Sequence, residues 1–211
     1  MSNSEQRMIH LVDDDPAVRR SVGFMLKTSG YGVQSYESGT ELLKNAGQLE
    51  EGCILLDIRM PGMDGLEVQQ ALQEKGIGLP VIIMTGHGDV GLAVRAMKAG
   101  AVDFLTKPVK RDALFSAVVH AAELDAASRR KRQEFKSIGD RLAILTHRER
   151  EVLEHVIAGR LNKQIAATLG TVEKTIKVHR GRMMAKLGVR SVAELVRLAD
   201  RAGISPARSD P

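Results

Sequence analysis

Two patterns of apolar and polar residues divide the chain. Up to about residue 127, short apolar runs alternate with segments in which apolar residues recur every three or four positions. Such alternation predicts a parallel β-sheet with helices on both faces. Beyond about residue 144 the short runs disappear and only the helical spacing remains. The sequence therefore predicts an α/β domain followed by a smaller all-α domain.

The first part contains five predicted strand–helix units of a doubly wound parallel sheet. The predicted strands are 8–13, 31–36, 53–57, 80–84 and 102–106. The predicted helices are 16–29, 39–47, 65–75, 89–99 and 110–127. Several glycines and prolines fall at the ends of these segments or in the turns between them, which supports the division; they are Gly30, Gly62, Gly65, Gly100, Pro16, Pro61, Pro80 and Pro108.

Four short amphipathic helices are predicted in the second part. Thr146 and Ser191, each followed by a glutamate three residues later, form capping boxes that begin the first and fourth helices. Asn162 is predicted to cap the second helix, and the third extends from about 172 to 187. The expected organisation is a first domain at 1–124, a polar helical linker at 125–143, a second domain at 144–204 and a disordered tail at 205–211.

Charge is distributed unevenly between the two parts. Residues 1–124 carry 12 basic and 16 acidic side chains, whereas residues 125–211 carry 19 and 10, and the whole chain has a net charge of +5. A basic half indicates a polyanionic partner, with nucleic acid the first candidate and an anionic membrane the second. No apolar stretch approaches the roughly 20 residues that span a bilayer, and no signal peptide is evident, so we expect a cytoplasmic protein.

Acidic and phosphate-binding groups follow the predicted strands of the first domain. Asp13 and Asp14 follow the first strand, Asp57 ends the third, and Thr85 and Lys107 follow the fourth and fifth. Ligands of open α/β sheets bind beyond the carboxyl ends of the strands, where these groups converge. Clustered aspartates suit Mg²⁺, and a lysine and a hydroxyl can stabilise a transferred phosphoryl group. Asp57, in the middle of the set, is the natural phosphoryl acceptor.

Four stretches at these positions resemble the receiver domain of two-component response regulators. They are Val12-Asp13-Asp14-Asp15, Leu56-Asp57-Ile58-Arg59-Met60-Pro61-Gly62-Met63-Asp64-Gly65, Met84-Thr85-Gly86-His87-Gly88-Asp89 and Lys107-Pro108. The third stretch, with Ala96-Met97-Lys98-Ala99-Gly100-Ala101-Val102-Asp103-Phe104, is similar to the FixJ branch.

The receiver resemblance implies a flavodoxin-like fold and roles for individual residues. Asp57 would accept a phosphoryl group from a histidine kinase, and Thr85 and Phe104 would form a switch pair. Asp13, Asp57 and the backbone carbonyl of Arg59 would bind Mg²⁺ directly, with Asp14 acting through water. Arg59 and His87 each lie two positions beyond a pocket residue, so we expect both to border the phosphoryl group and to tune its lifetime.

One face of the third helix in the second domain combines basic, apolar and small residues. Its members, at helical spacing, are Lys174, Lys177, Val178, Gly181 and Arg182. Lysine and arginine contact phosphate or guanine, an apolar side chain meets a thymine methyl group, and glycine permits close approach. A solvated helix face is the ordinary alternative; within a helix-turn-helix, this face predicts a reader of the DNA major groove.

The second domain resembles the LuxR-type four-helix DNA-binding domain. The matching stretches are Leu145-Thr146-His147-Arg148-Glu149-Arg150-Glu151-Val152-Leu153, Asn162-Lys163-Gln164-Ile165-Ala166 and Lys174-Thr175-Ile176-Lys177-Val178-His179-Arg180. The resemblance implies base contacts by Lys177 and Val178. It implies backbone contacts by Lys163, Thr175, His179, Arg180 and Lys186.

Two positions depart from the LuxR-type pattern. Thr171-Val172 stands where relatives carry Ile-Ser, so Thr171 is expected to replace the usual serine cap. Gly181 stands where some relatives place a basic residue that contacts bases, which leaves the base specificity open.

Together these features predict a FixJ-like response regulator rather than an ordinary enzyme. Phosphorylation by a sensor histidine kinase would dimerise the receiver through about residues 89–107, and the dimer would bind promoter DNA and act with RNA polymerase to activate transcription. A phosphorylation-independent DNA-binding protein with the receiver as a scaffold is one alternative. An Mg²⁺-dependent phosphatase with an aspartate nucleophile is another, although Arg59 stands where that class expects a second aspartate.

Overall fold

Strands and helices alternate through the first of two units. The computed structural model describes residues 7–86 and 90–207, and the chain divides into Met1–Ser128 and Arg129–Pro211. The strands are β1 Met8–Val12, β2 Gly32–Tyr36, β3 Gly52–Asp57, β4 Val81–Thr85 and β5 Asp103–Thr106. The helices are α1 Pro16–Lys27, α2 Gly39–Lys44, α3 Gly65–Glu74, α4 Val90–Lys98 and α5 Arg111–Ala143. The predicted fold class is confirmed, and each predicted strand end lies within one residue of the observed end.

The strands of the described residues form one parallel sheet in the order β2-β1-β3-β4-β5. Alternate residues face opposite sides, as in Leu55 and Leu56, which belong to different hydrophobic clusters. One cluster packs α1 and the first part of α5 on the sheet, and the other packs α2, α3 and α4 on the opposite face. This double layer leaves the carboxyl ends of β1, β3, β4 and β5 side by side.

Local capping places the helices that begin at this edge. Asp15 is the N-cap of α1, its side chain accepts a hydrogen bond from the N–H of Ala17 at 2.7 Å, and Pro16 occupies the first helical position. A Cβ atom at Gly65 would lie 2.4 Å from the carbonyl oxygen of Asp57. Glycine therefore lets the start of α3 approach the end of β3 closely.

Four helices follow α5 in the second unit. They are α6 His147–Ile157, α7 Asn162–Thr168, α8 Glu173–Leu187 and α9 Val192–Arg201. Leu153 of α6, Ile176 of α8 and Leu195 of α9 lie in their shared core. Residues 125–143 lie within α5, and Ile138 of this segment is buried in the same core. The end of the predicted linker is therefore packed with the second unit.

The caps of two helices differ from the predictions. The N-cap of α7 is Leu161 rather than Asn162, and the Gln164 side chain accepts the Leu161 N–H at 2.8 Å. Val172 caps α8 without a side-chain hydrogen bond, so Thr171 does not replace the usual serine. Hydroxyl and amide caps compete with other local partners, and only the folded backbone decides which residue stands at the cap.

The capping box predicted at α9 forms only in part. Ser191 accepts the N–H of Glu194 at 3.2 Å, as predicted. The carboxylate of Glu194 accepts the N–H of Arg190, the residue before the cap, at 2.8 Å. The capping box of α6 forms completely between Thr146 and Glu149.

The described part of the predicted tail is attached to the second unit. The N–H of Ala207 donates a hydrogen bond of 3.0 Å to the carbonyl oxygen of Glu154, and residues 208–211 lie outside the described residues. None of the helices in the described ranges has the length and apolar character that a membrane span requires.

Candidate functional site

The parallel register of the sheet brings the ends of β1, β3 and β5 together, so that the ammonium group of Lys107 meets two aspartates. Lys107, which follows β5, places its Nζ atom 2.6 Å from Oδ2 of Asp13 and 3.0 Å from Oδ2 of Asp57. Both aspartates are buried, and the lysine side chain is 17% exposed. Groups that lie far apart in the sequence therefore form one ionic cluster beyond the edge of the sheet.

Opposing effects set the protonation of this cluster. Burial raises the pKa of the Asp57 carboxyl and nearby Asp13 adds to this, whereas Lys107 and the backbone N–H of Arg59 act in the opposite direction; the pKa stays above its usual value. Burial alone lowers the pKa of Lys107, but its bonds to Asp13 and Asp57 outweigh burial and raise it. Lys107 is therefore held in its charged form beside a carboxylate that is costly to ionise.

Three carboxylates offer ligands to a cation. One oxygen each of Asp13, Asp14 and Asp57 lies within 4.8 Å of the other two. Oδ1 of Asp57 is buried and lacks a well-oriented hydrogen-bond partner among the described residues. Asp14, by contrast, is exposed. A hard divalent cation such as Mg²⁺ prefers this set of oxygen ligands, part protein and part solvent.

The two residues predicted as a switch pair occupy different environments. Thr85 is fully buried at the end of β4, and its carbonyl oxygen accepts the Lys107 N–H at 2.7 Å. Phe104 is half-buried on β5, opposite Ile83 of β4, and packs on the cluster beneath α4. The backbone thus connects Thr85 directly to the residue that holds the two aspartates.

Of the two residues predicted to tune phosphate lifetime, one lies in the described part of the chain. Arg59 is exposed, just beyond β3. His87 lies outside the described residues.

Arg19 is a residue near the cluster that the sequence analysis did not identify. Its Nη1 atom donates to the carbonyl oxygens of Asp13 at 2.7 Å and Asp14 at 2.9 Å, and Nη2 lies 3.3 Å from Oε1 of Glu37. One turn into an amphipathic helix, an arginine carries no sequence signal that distinguishes it from the neighbouring surface residue Arg20.

The predicted DNA-reading face of α8 is exposed. Lys174, Lys177, Val178, Gly181 and Arg182, hereafter the reading face, are all exposed, and Val178 at its centre is 46% exposed. Ile176, Met183 and Leu187, on the opposite side of the helix, are buried. Lys163 on α7 is also exposed.

Four other predicted DNA contacts are half-buried. They are Thr175, His179, Arg180 and Lys186. Nη1 of Arg180 donates to Oδ1 of Asn162 at 3.0 Å, which connects α8 to α7. Nζ of Lys186 lies 2.6 Å from Oε2 of the buried Glu149 and 3.1 Å from the carbonyl oxygen of Ile144. Lys186 therefore stabilises the interior of the second unit in this structure.

Comparison with known families covers both units. Residues 9–119 match the family described as "Response regulator receiver domain", and residues 143–199 match "Bacterial regulatory proteins, luxR family". Transcriptional regulatory protein FixJ of Azorhizobium caulinodans is 44% identical over 203 residues, which cover 96% of each chain. Response regulator protein TmoT of Ectopseudomonas mendocina is 41% identical and covers 94% of this chain and 90% of its own length.

Solved structures give the same result. Response regulator StyR matches with a TM-score of 0.85 and 40% identity, over 93% of this chain and 99% of the other. Full-length FixJ from B. japonicum matches with a TM-score of 0.59 and 41% identity, over 94% and 98%.

Proposed function

Because the chain belongs to the FixJ-like response regulators, with a receiver domain and a LuxR-type DNA-binding domain, we propose that Asp57 is its phosphorylation site. A sensor histidine kinase is the phosphoryl donor. Phosphorylation makes the receiver dimerise, and the dimer binds promoter DNA and activates transcription.

The observation that carries this proposal is the contact of Lys107 with both buried aspartates. Oδ2 of Asp57 lies 3.0 Å from Nζ of Lys107, so a phosphoryl group on Asp57 would place an oxygen within reach of the same ammonium group. Phosphoryl transfer requires positioning and positive charge more than covalent chemistry by the protein. Asp57 supplies the nucleophilic oxygen, and Lys107 supplies charge.

The acidic cluster fits Mg²⁺ as the cofactor. Asp13 and Asp57 would hold it directly with the backbone carbonyl of Arg59, and the exposed Asp14 would act through water. Bound Mg²⁺ supplies positive charge that neutralises the carboxylates and the oxygens of the incoming phosphoryl group. The buried Oδ1 of Asp57, which lacks a well-oriented hydrogen-bond partner among the described residues, supports this assignment.

The transfer forms one bond and breaks another. A carboxylate oxygen of Asp57 bonds to phosphorus as the bond from phosphorus to the kinase histidine nitrogen breaks. Lys107 then neutralises one phosphoryl oxygen, and the Thr85 hydroxyl donates a hydrogen bond to another. Arg59 and His87 govern how quickly water removes the phosphoryl group, so the protein takes part in its own phosphorylation and dephosphorylation without turning over a separate substrate.

The switch acts on α4 and β5. Thr85 moves toward the phosphoryl group, and Phe104 changes its packing on the cluster beneath α4. The surface of about residues 89–107 then dimerises, and its described part exposes Val94 and Met97, at 47% and 48%. A phosphoryl group changes the population of dimer only as far as it favours one receiver conformation over the other.

DNA recognition is assigned to the reading face. Lys177 and Val178 contact base edges, and Lys163, Thr175, His179 and Arg180 contact or approach the phosphate backbone. Lys186 is not assigned a contact with DNA because its ammonium group bonds to Glu149. A two-fold dimer presents two such faces to a two-fold DNA site, where the protein acts with RNA polymerase.

Replacement of the acceptor tests the proposal. Wild-type protein and the Asp57→Asn variant are incubated with acetyl phosphate and Mg²⁺, then examined by intact mass spectrometry and by light scattering for dimerisation. We expect wild type to gain one phosphoryl group and to dimerise, and we expect the variant to do neither. Asp112→Asn, at an exposed aspartate of α5, is the matched control and is expected to behave like wild type.

DNA binding is measured in the same samples. The probe is a duplex that phosphorylated wild type selects from a random pool, at one stated salt concentration. Equal affinity with and without phosphodonor would favour a phosphorylation-independent regulator. Dimerisation of Asp57→Asn that responds to phosphodonor as wild type does would place the acceptor elsewhere.

A further inference from the structure

Arg19 joins the two backbone carbonyls that begin the acidic loop, defined here as Asp13, Asp14 and Asp15. Its guanidinium group donates to the carbonyl oxygens of Asp13 and Asp14 at 2.7 and 2.9 Å, and its side chain is only 15% exposed. Both hydrogen bonds come from Nη1, whose two N–H groups lie at a fixed angle in the rigid guanidinium plane, so this nitrogen holds the two acceptors in a defined relation. The contacts therefore fix the backbone rather than the carboxylates.

Asp13 is consequently held at three points. Its Oδ1 atom accepts the N–H of Asp15 at 3.0 Å, its Oδ2 atom lies 2.6 Å from Lys107, and its carbonyl oxygen is bound by Arg19. Three consecutive carboxylates repel one another and favour loop conformations that turn them apart. By fixing the loop backbone, the Arg19 contacts oppose this tendency and keep one oxygen each of Asp13 and Asp14 within 4.8 Å of an oxygen of Asp57.

The positive charge of Arg19 has the opposite effect on a bound cation. A guanidinium group beside an acidic cluster repels a divalent cation by direct Coulomb interaction. The carboxylate of Glu37, 80% exposed and 3.3 Å from Nη2 of Arg19, offsets part of that charge. Replacing Arg19 would therefore weaken Mg²⁺ binding if loop geometry dominates and tighten it if charge repulsion dominates. A measurement of Mg²⁺ affinity decides between the two.

We infer that Arg19 is a positioning residue that sets the Mg²⁺ affinity of the receiver through the backbone of the acidic loop. The inference rests on the proposed Mg²⁺-dependent phosphorylation of Asp57. Removing residues that orient metal ligands typically weakens metal binding by about 10- to 100-fold. Because Arg19 contacts the loop backbone and not the acceptor, its replacement changes the Mg²⁺ requirement and leaves the phosphorylation rate at saturating Mg²⁺ close to that of wild type.

The test is titration of unphosphorylated full-length protein with Mg²⁺ by isothermal calorimetry. Arg19→Gln is expected to bind Mg²⁺ about tenfold more weakly than wild type or worse. Arg20→Gln, at the exposed neighbouring arginine, is the matched control and is expected to bind like wild type. In acetyl phosphate assays, Arg19→Gln should raise the half-maximal Mg²⁺ concentration by the same factor.

Two further variants separate geometry from charge. Arg19→Lys keeps the positive charge but lacks the rigid guanidinium plane, so it is expected to bind Mg²⁺ more weakly than wild type. This variant also tests the inference if Arg19→Gln fails to fold. Glu37→Gln keeps both carbonyl contacts and should change the affinity less than about fivefold, as for an exposed ion pair. A larger loss in Glu37→Gln would assign the effect to the ion pair and overturn the inference.

Three other results would also overturn it. They are unchanged or tighter Mg²⁺ binding in Arg19→Gln, wild-type binding in Arg19→Lys, and a lower rate of phosphorylation at saturating Mg²⁺ with no change in the Mg²⁺ requirement. Failure of wild type itself to bind Mg²⁺ would defeat the proposed function as well, so the two failures are distinguishable.

Discussion

At the scale of single residues, buried charges in both units depend on a lysine. Lys107 forms ion pairs with Asp13 and Asp57 in the first unit, and Lys186 forms an ion pair with Glu149 in the second. The first group contains the proposed phosphoryl acceptor, and burial raises the pKa of Asp57 above its usual value. The second is structural, since the carboxylate of Glu149 also accepts the N–H of Thr146 at the start of α6.

The Lys186 contact gives stability a predictable pH dependence. The hydrogen bond from Lys186 lowers the pKa of Glu149 from its usual value, although burial opposes it. A carboxyl with a lowered folded-state pKa contributes stability above its unfolded value and loses that contribution as the pH falls through the folded value. Lys186→Met is therefore expected to cost about 2 kcal/mol near neutral pH, and less in acid as the pH falls through the folded-state pKa of Glu149.

Urea unfolding, followed through NMR signals of residues in the second unit, measures this cost at both pH values. Lys186→Arg keeps the charge and serves as the control, with a smaller loss expected. A cost that is the same at neutral and acidic pH would show that packing of the lysine stem, and not its charge, stabilises Glu149.

At the scale of elements, a residue with the chemistry of an N-cap marks the start of a helix only when the folded backbone places it at the cap position. Thr146 is both the predicted and the observed cap of α6. Asn162 and Thr171 have the chemistry of a cap, but the caps of α7 and α8 are Leu161 and Val172. The Asn162 side chain instead accepts a hydrogen bond from Arg180, which contributes to packing between α7 and α8.

Two threonines give a direct comparison of these cases. Thr146→Ala is expected to destabilise the second unit by about 1 kcal/mol because it leaves the N–H of Glu149 without its cap. Thr171→Ala should cost less than about 0.5 kcal/mol because its side chain does not cap α8. The measurement is the free energy of unfolding from urea titrations of the second unit. Equal losses at the two positions would contradict the cap assignment.

At the scale of the whole molecule, charge separates the two functions. The acidic first part contains the carboxylate cluster, and the basic second part contains the reading face. A net positive charge draws the protein to any DNA, whereas base contacts discriminate between sequences. Affinity and specificity are therefore expected to depend on different side chains of the second unit.

Two exposed lysines test this division. Lys163→Ala should weaken binding to selected and scrambled duplexes alike and reduce the slope of log affinity against log salt by about 0.9. Lys177→Ala should cost about 1–3 kcal/mol on the selected duplex and little on the scrambled one. Fluorescence anisotropy over a range of salt concentrations measures both. The assignment of Lys177 to bases fails if its replacement weakens both duplexes equally.

Local patterns in the sequence determined the elements and the kinds of residue at their ends. Apolar runs and helical spacing predicted each strand of the receiver to within one residue at either end. This succeeded because the side chains that become buried in a strand or helix recur along the sequence with the period of that element. The aspartates and Lys107 could be identified for the same reason, since each directly follows or ends a strand. Family resemblance then supplied roles that spacing alone does not specify.

Only the tertiary structure decided which groups meet. Lys107 contacts Asp13 and Asp57, Arg19 binds the carbonyl oxygen of Asp13, and Lys186 contacts Glu149. The residues in these contacts are distant in the chain or lie on surfaces without a distinctive sequence pattern. Such contacts depend on side-chain direction and on competition among donors for the same acceptor. Those quantities arise when elements pack, and a one-dimensional pattern of apolar and polar residues does not contain them.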